Sequence, residues 1–278
     1  MINNIDLEHI DCYDSLEDLK DAFIQFANSV PFYGMVSICK DSDNAASIIP
    51  LIDKPIVTYG IESDNVDFKA VNIIHDNGTV AFDVIHQNKN YSFSMIIPGS
   101  YNILNALAAI SVCKTMGLSI EKISKSLKNF SGVKRRFDIK IHNKDLTIID
   151  DYAHHPVEVL SVIKAVKSNW DRRLLVVFQP HLYSRTKEFY KDFAESLLDA
   201  DMIFITEIFA SREKLDISIS SKHISNHLKK LKHKNVLDTT TDSLIKDIKS
   251  HYNQGDIILT VGAGNIWRYA DKLTKNMQ

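Results

Sequence analysis

The chain has 278 residues, 45% hydrophobic and 24% charged, with a formal net charge of −2. That length holds two domains of ordinary size, and its mixed, nearly balanced charges leave no footprint for a nucleic acid or a membrane surface. Cys12, Cys39 and Cys113 are far apart and form no CxxC or Cys/His spacing, which fits reduced thiols in a cytoplasmic protein. Neither a signal peptide nor an apolar run of membrane-spanning length is read from the sequence.

In chain order, Asp14-Ser15 opens the first expected helix, with Glu17 and Asp18 in its first turn and Leu16, Leu19, Phe23 and Phe26 on one stripe. Residues 35–39 (M-V-S-I-C) read as a strand, 44–51 as a helix and 56–59 as a second strand. From 67 to 97 the texture turns β-rich, with Asn77-Gly78 as a turn signal, and predicts a small antiparallel sheet. Asn102–Met116 reads as a helix stopped by Gly117, and 119–129 as another capped by Ser119. Gly132–Phe137 is a loop, and the domain boundary is placed between 134 and 135.

The second half alternates. Strands at 146–150, 174–178, 202–206, 235–237 and 257–261 precede helices at 156–168, 185–199, 220–231, 241–252 and 265–275. Strands separated by helices at this spacing predict right-handed βαβ units and a mostly parallel, Rossmann-like sheet. The class is α/β, and three of the strands run into polar loops. Ligands of such sheets bind beyond the carboxyl ends of the strands.

The loop Asp150–Pro156, D-D-Y-A-H-H-P, packs two carboxylates, a phenol and two imidazoles. A strand-end carboxylate can hold a ribose hydroxyl or a metal, and an imidazole can bind a carboxylate or carry a proton. The plainer reading is an Asp capping the next helix. Gln179–Thr186, Q-P-H-L-Y-S-R-T, puts Arg185 at an expected helix start, where a guanidinium offers a fork to a carboxylate or phosphate. The alternative is a surface Arg with Ser184 as cap. Asn102 and Asn105 share a helix face, so an amide there can read an adenine edge, or Asn102 is a plain cap. Lys134, Arg135 and Arg136 suit a phosphate or simply a solvated linker. His9, among Asp6, Glu8 and Asp11, is a Mg²⁺ or Mn²⁺ ligand or a solvated loop residue. Gly262-Ala263-Gly264-Asn265 reads as a tight strand-to-helix turn.

Together and in this order these motifs resemble the Mur ligases, most closely the members that add L-alanine to UDP-N-acetylmuramate. The carriers are N-I-D-L-E-H-I-D near the start, V-P-F-Y-G from Val30 and P-G-x-x-N-x-x-N-A from Pro98. G-V-K-R-R-F from Gly132, D-D-Y-A-H-H-P, F-Q-P-H-L-Y-S-R-T from Phe178 and G-A-G-N-I from Gly262 follow. The resemblance covers nearly the whole chain. It implies ATP-dependent amide-bond formation in which the muramate carboxylate takes a phosphoryl group and the amine of L-alanine attacks the acyl phosphate. ATP and Mg²⁺ are the implied cofactors. His9 would hold the metal, Asn102 and Asn105 would face the adenine, and Arg136 and Asp151 would contact the nucleotide. Tyr152, His154, His181 and Arg185 would shape the L-alanine pocket, and Arg136, His154, His181 and Arg185 are the implied catalytic residues.

This chain departs from the family pattern at Leu182, where many members carry Arg, and at Tyr101, where many carry His. It also lacks the family's leading UDP-sugar domain, and no G-x-x-x-x-G-K-S/T occurs anywhere in it. The expectation is therefore an incomplete rear part of the central ATP-binding domain at 1–134, carrying the small antiparallel sheet. A Rossmann-like domain for the incoming amino acid would follow at 135–278. Such a chain would be inactive alone and would need a separate N-terminal half as partner. A non-catalytic nucleotide- or amino-acid-binding remnant and a related murein-peptide ligase are the competing readings.

Overall fold

Helix α1 (Leu16–Asn28) begins where Ser15 accepts the Asp18 N–H on its hydroxyl, covering one of the open donors of a helix start. The computed structural model describes residues 1–7 and 12–277. The inner stripe of α1 packs with Ile2, Ile5, Val36, Ile38 and Ile48 into one apolar cluster. Strand β1 (Val36–Cys39) is buried at every position. The helix expected over 44–51 divides into α2 (Asp43–Ser47) and a 3₁₀ turn at Ile49–Leu51, because Pro50 has no N–H to continue an α-helix.

Strands β2 (Ile56–Gly60), β3 (Phe68–Asp76), β4 (Thr79–His86) and β5 (Lys89–Met95) complete a five-stranded sheet of order β1-β2-β3-β4-β5. The β-rich stretch is thus no separate antiparallel sheet. β3 joins β2 in parallel, and only the β3-β4-β5 meander is antiparallel. Asn77 and Gly78 both have positive φ, as do Gln87 and Asn88, so each two-residue hairpin turn has the twist that suits its strands. Helix α3 (Ser100–Thr115) starts two residues before the expected Asn102, with Gly99 at φ +105 as its cap position. Its buried face joins Tyr59, Phe68, Phe82 and Phe93 in a second apolar cluster. Gly117 at φ +86 ends it, and α4 (Ile120–Lys128) follows on a Ser119 cap.

The chain divides into two compact units, Met1–Phe130 and Ser131–Gln278. The boundary falls ahead of the expected 134/135 because the 131–137 loop is bound into the second unit, where Tyr152 N–H donates to the Arg135 carbonyl. The second sheet contains β6 (Asp138–His142), β7 (Thr147–Asp151), β8 (Leu174–Phe178), β9 (Met202–Ile205), β10 (Val236–Asp238) and β11 (Ile257–Val261). Its order is β10-β9-β8-β11-β7-β6. All pairs are parallel except the edge pair of β6 with β7, a strand the sequence reading leaves out.

Between the strands run α5 (Pro156–Asn169), α6 (Tyr183–Ser196), α7 (Lys222–Lys230) and α8 (Leu244–His251), and α9 (Trp267–Met277) follows the last strand. Side chains alternate along the strands, so Ile148, Leu175, Val177 and Ile258 pack with Leu244, Ala270 and Leu273 of α8 and α9. On the other face the Phe178 and Phe193 rings lie 5.0 Å apart. Val261 at the end of β11 is in register with Asp151 on one side and Phe178 on the other. Three loops, after β7, β8 and β11, therefore leave the sheet abreast. Among the described residues no helix is long and apolar enough to cross a membrane.

Candidate functional site

The three abreast loops build the site of the second unit, and Arg135 ties the loop after β11 to the end of β7. This residue has φ +62, which turns its side chain inward while its neighbour Arg136 stays more than half exposed. The Arg135 guanidinium donates to the Gly262 carbonyl at 2.7 Å and the Gly264 carbonyl at 3.2 Å. Its Nε lies 3.7 Å from the fully buried Asp150 carboxylate, and its charge sits 4.6 Å from the centre of the Tyr152 ring. Asp150 also accepts the Thr260 hydroxyl at 2.6 Å. Burial pushes its carboxyl above the usual range, against Thr260 and Arg135.

Asp151, expected at the nucleotide, faces inward. Its two oxygens accept the Phe137 and Ala153 N–H groups, each at 2.7 Å. Burial pushes its carboxyl up to about 6, although both backbone donors pull the other way. Asp151 therefore braces the loop that carries Arg136 instead of presenting a carboxylate outward. Nor is it the cap of the following helix. His155 holds the N-cap position of α5, and Glu158 accepts the N–H groups of His154 at 2.9 Å and His155 at 3.3 Å.

Tyr152, His154 and His181 form one aromatic edge. Tyr152 and His154 meet edge to face at 5.1 Å and His154 and His181 at 6.0 Å. The Arg136 guanidinium lies 5.2 Å from the Tyr152 ring centre and 3.9 Å from Glu158. His154 Nδ1 lies 3.0 Å from the Tyr152 carbonyl and 3.4 Å from the Glu158 carboxylate. Burial first, then the nearby His154 and Arg185, lower His181 to about 4. It is thus neutral at pH 7, with a buried Nδ1 that has no hydrogen-bond partner. A neutral imidazole with so low a pKa is a weak base, but it can accept a hydrogen bond from an amine.

Leu182 holds φ +68 and ψ 138 at the start of α6, a strained backbone for a residue with a side chain. Its N–H donates to the Phe209 carbonyl at 3.0 Å, and its own carbonyl accepts from Thr186 N–H and Oγ1. Arg185 is the third residue of α6 and is half-buried. Ser184 is not the helix cap. Its hydroxyl donates to Glu213, a residue the sequence reading misses, which also accepts the Tyr183 and Ser184 N–H groups.

Gln179, too, does more than its motif suggests. Its amide donates to Asn265 Oδ1 at 2.8 Å and its side-chain oxygen accepts the Ile266 N–H at 3.1 Å. That clamps the glycine turn, where a Cβ on Gly262 would come within 2.7 Å of the Gln179 carbonyl. The only sequence-level signal for this clamp is the placement of an amide at a strand end.

In the first unit, Asn102 and Asn105 share the start of α3. The Asn102 amide donates to the Pro98 carbonyl at 2.7 Å, and Asn105 to Asn102 Oδ1 at 3.5 Å. Asn3 donates to Asn105 and accepts from the buried Tyr59 hydroxyl. These amides form a polar chain with exposed Asn105 in its middle. His9, the expected metal ligand, lies outside the described residues. Among the described residues no group of three or more His, Cys, Asp or Glu could hold a metal ion.

Residues 1–113 match the Mur ligase middle domain, and residues 135–264 match the family described as "Mur ligase, glutamate ligase domain". A UDP-N-acetylmuramate–L-alanine ligase of Geotalea uraniireducens is 38% identical over all of this chain and 61% of its own length. One of Persephonella marina is 41% identical over 99% of this chain and 59% of its own length. The crystal structure of a UDP-N-acetylmuramate-alanine ligase from Thermotoga maritima superposes with a TM-score of 0.80 at 26% identity, over 100% of this chain and 59% of that one. The chain thus spans about three-fifths of the length of these relatives.

Proposed function

Since the chain belongs to the Mur ligases, of which it carries the middle and glutamate-ligase domains, we propose that it is part of an ATP-dependent ligase. That ligase joins L-alanine to UDP-N-acetylmuramate through an acyl phosphate in cytoplasmic peptidoglycan precursor synthesis. The observation that carries this reading is the convergence of Tyr152, His154, His181 and Arg185 beyond the ends of β7 and β8. Arg185 supplies a fork for the carboxylate of the incoming amino acid. His181, neutral at pH 7, faces the amine and accepts a hydrogen bond from it once its proton has left to solvent. His154, held by Glu158 and the Tyr152 carbonyl, fixes the second imidazole beside it.

On the nucleotide side, exposed Arg136 is a contact in the second unit, with Asp151 acting through the loop it braces. Asn102 and Asn105 are contacts for adenine in the first unit. Mg²⁺ belongs to the same proposal as the ion that accompanies ATP. The protein's part is positioning and charge stabilisation. The 278 residues hold no phosphate-loop lysine motif, and turnover on this reading draws one from a front half of the ligase, whether on a separate polypeptide or on the same one.

The test mixes this chain with a fragment carrying the front half of an L-alanine-adding Mur ligase and follows phosphate release that depends on ATP, UDP-N-acetylmuramate and L-alanine. Release only in the mixture is the expected result. Turnover by these 278 residues alone would overturn the need for that front half. L-Alanine binding without release in any mixture would leave a non-catalytic amino-acid-binding protein.

A further inference from the structure

Glu158 is the third residue of α5, and its carboxylate is divided between two sides of the cluster. Oε2 accepts the His154 N–H at 2.9 Å and the His155 N–H at 3.3 Å, and lies 3.4 Å from His154 Nδ1. Oε1 lies 3.9 Å from a terminal nitrogen of Arg136. One oxygen thus serves the start of α5 and an imidazole, and the other serves a guanidinium. The helix start needs only the first. A glutamine at this place accepts the same N–H groups, so capping does not call for the charge.

The charge is what Arg136 and His154 share. The Arg136 and Glu158 side chains are 55% and 35% exposed, and an ion pair so open to solvent holds weakly. A phosphate offers a guanidinium a bidentate, charge-assisted partner, so it can draw Arg136 away from Glu158 at small cost. The His154 and His155 N–H groups keep Oε2 in place, and the carboxylate is then left to His154. A second route between the same two side chains runs over Tyr152, whose ring centre lies 5.2 Å from the Arg136 guanidinium and 5.1 Å from the His154 ring. Beyond His154 stands His181, ring centres 6.0 Å apart. Burial first and His154 next lower His181, so a change of charge at His154 reaches the imidazole that faces the amine.

We propose that Glu158 is a positioning residue that couples the two sides of the site, so that an anion taken up at Arg136 turns the Glu158 carboxylate wholly to His154. The inference rests on the reading of Arg136 as a nucleotide contact and of His154 as part of the amino-acid pocket, and it adds the link between them. Glu158 touches neither nucleotide nor amino acid in this role; it acts through the two side chains it joins.

The test follows the His154 ring signals and the Arg136 amide signal of the 278-residue chain by NMR, first without ligand and then with ATP. Without ligand, Arg136→Met is expected to move the His154 ring signals, and the same change made on Glu158→Gln to move them less than half as far. Glu158→Gln keeps the cap and is expected to keep the wild-type urea midpoint, which a purely structural role would leave as its whole effect. ATP is expected to move the Arg136 amide and the His154 ring of wild type together, and in Glu158→Gln to move the Arg136 amide while the His154 response falls at least by half. Equal movement of the His154 ring with glutamate or glutamine at 158 would assign the link to the Tyr152 ring and overturn the inference. An unmoved His154 ring in Arg136→Met would overturn it as well. An Arg136 amide that ignores ATP would instead overturn the nucleotide-contact reading, and the ligand-free comparison would then decide the link by itself.

Discussion

At the amino end of the six-stranded sheet, Arg172 donates from Nε to the Gly255 carbonyl, from one terminal nitrogen to the Asn143 carbonyl and Thr147 hydroxyl, and from the other to the Asp256 carbonyl. Arg173 and the Asn253 N–H meet on the Asp256 carboxylate. At the carboxyl end Arg135 performs a similar closure on Gly262, Gly264 and Asp150. There the resemblance between the two ends stops. Beside Arg135 stand an exposed Arg136, a His181 nitrogen without a partner and a strained Leu182. Arg172 uses its donors on its own loops, and that end too has a buried nitrogen without a partner, His233 Nδ1. The difference lies in the exposed guanidinium and the strained backbone of the carboxyl end, which put a charged group beside three loop ends.

Removing the tie at the carboxyl end should have the largest effect. Arg135→Met leaves the Asp150 carboxylate, 0% exposed, without its countercharge. Breaking one side of a buried pair costs about 3–5 kcal/mol, read as a lower urea midpoint. Because burial already favours the protonated form of Asp150, the loss should shrink at pH 5, and adding Asp150→Asn should recover part of it. A loss of equal size at pH 5 and pH 8 would show that Arg135 acts through its carbonyl contacts alone.

The amino end gives the control. Arg172→Met removes four hydrogen bonds from a charged donor, each worth about 1.5 kcal/mol or more before relaxation and water recover part of the sum. A net loss of about 2–3 kcal/mol in the same denaturation experiment is expected. On the proposed function, L-alanine binding by the surviving folded protein should be unchanged within twofold, whereas Arg185→Met should weaken it at least tenfold with little change in stability. If Arg172→Met also abolished binding, the division of labour between the two ends would be wrong.

How much of this division the sequence carries depends on the range of the forces involved. The parallel strands of the second unit stand out as β-branched runs such as L-L-V-V-F, buried on both faces. Strand β6, D-I-K-I-H, is short and polar at alternate positions, and only its pairing with β7 makes it a strand. The Gln87-Asn88 turn carries no glycine to announce its positive φ values. The polar loops after β7 and β8 are visible because their residue types do not belong in a core. Arg135 and Arg136 are indistinguishable as letters; one backbone angle sends the first inward and leaves the second outside. Glu213 is silent in the sequence because its partners are 29 and 30 residues away and are chosen by closure of the Phe209 loop.

The smallest expected effect tests whether the carboxyl end balances two opposed titrations. Asp151 has its folded-state value raised to about 6, so its contribution is fully present below the ordinary carboxylate range and is lost as pH rises through 6. His181 is lowered to about 4. Its contribution is fully present above the ordinary imidazole range near 6.5 and is lost as pH falls towards 4. Between pH 4 and 6.5 the two slopes oppose each other. Stability of Asp151→Asn relative to wild type should therefore rise with pH across that window, and stability of His181→Gln relative to wild type should fall. The full shifts would give about 3 kcal/mol each; screening by solvent at the partly exposed site and relaxation of the loop reduce each change to the order of 1–2 kcal/mol, measured by urea unfolding at half-unit pH steps. Arg172→Met, with neither group altered, should give a flat difference curve from pH 5 upward. Difference curves of the same sign for Asp151→Asn and His181→Gln would mean that the backbone donors on Asp151 outweigh its burial, and that its carboxylate is held charged in the folded chain.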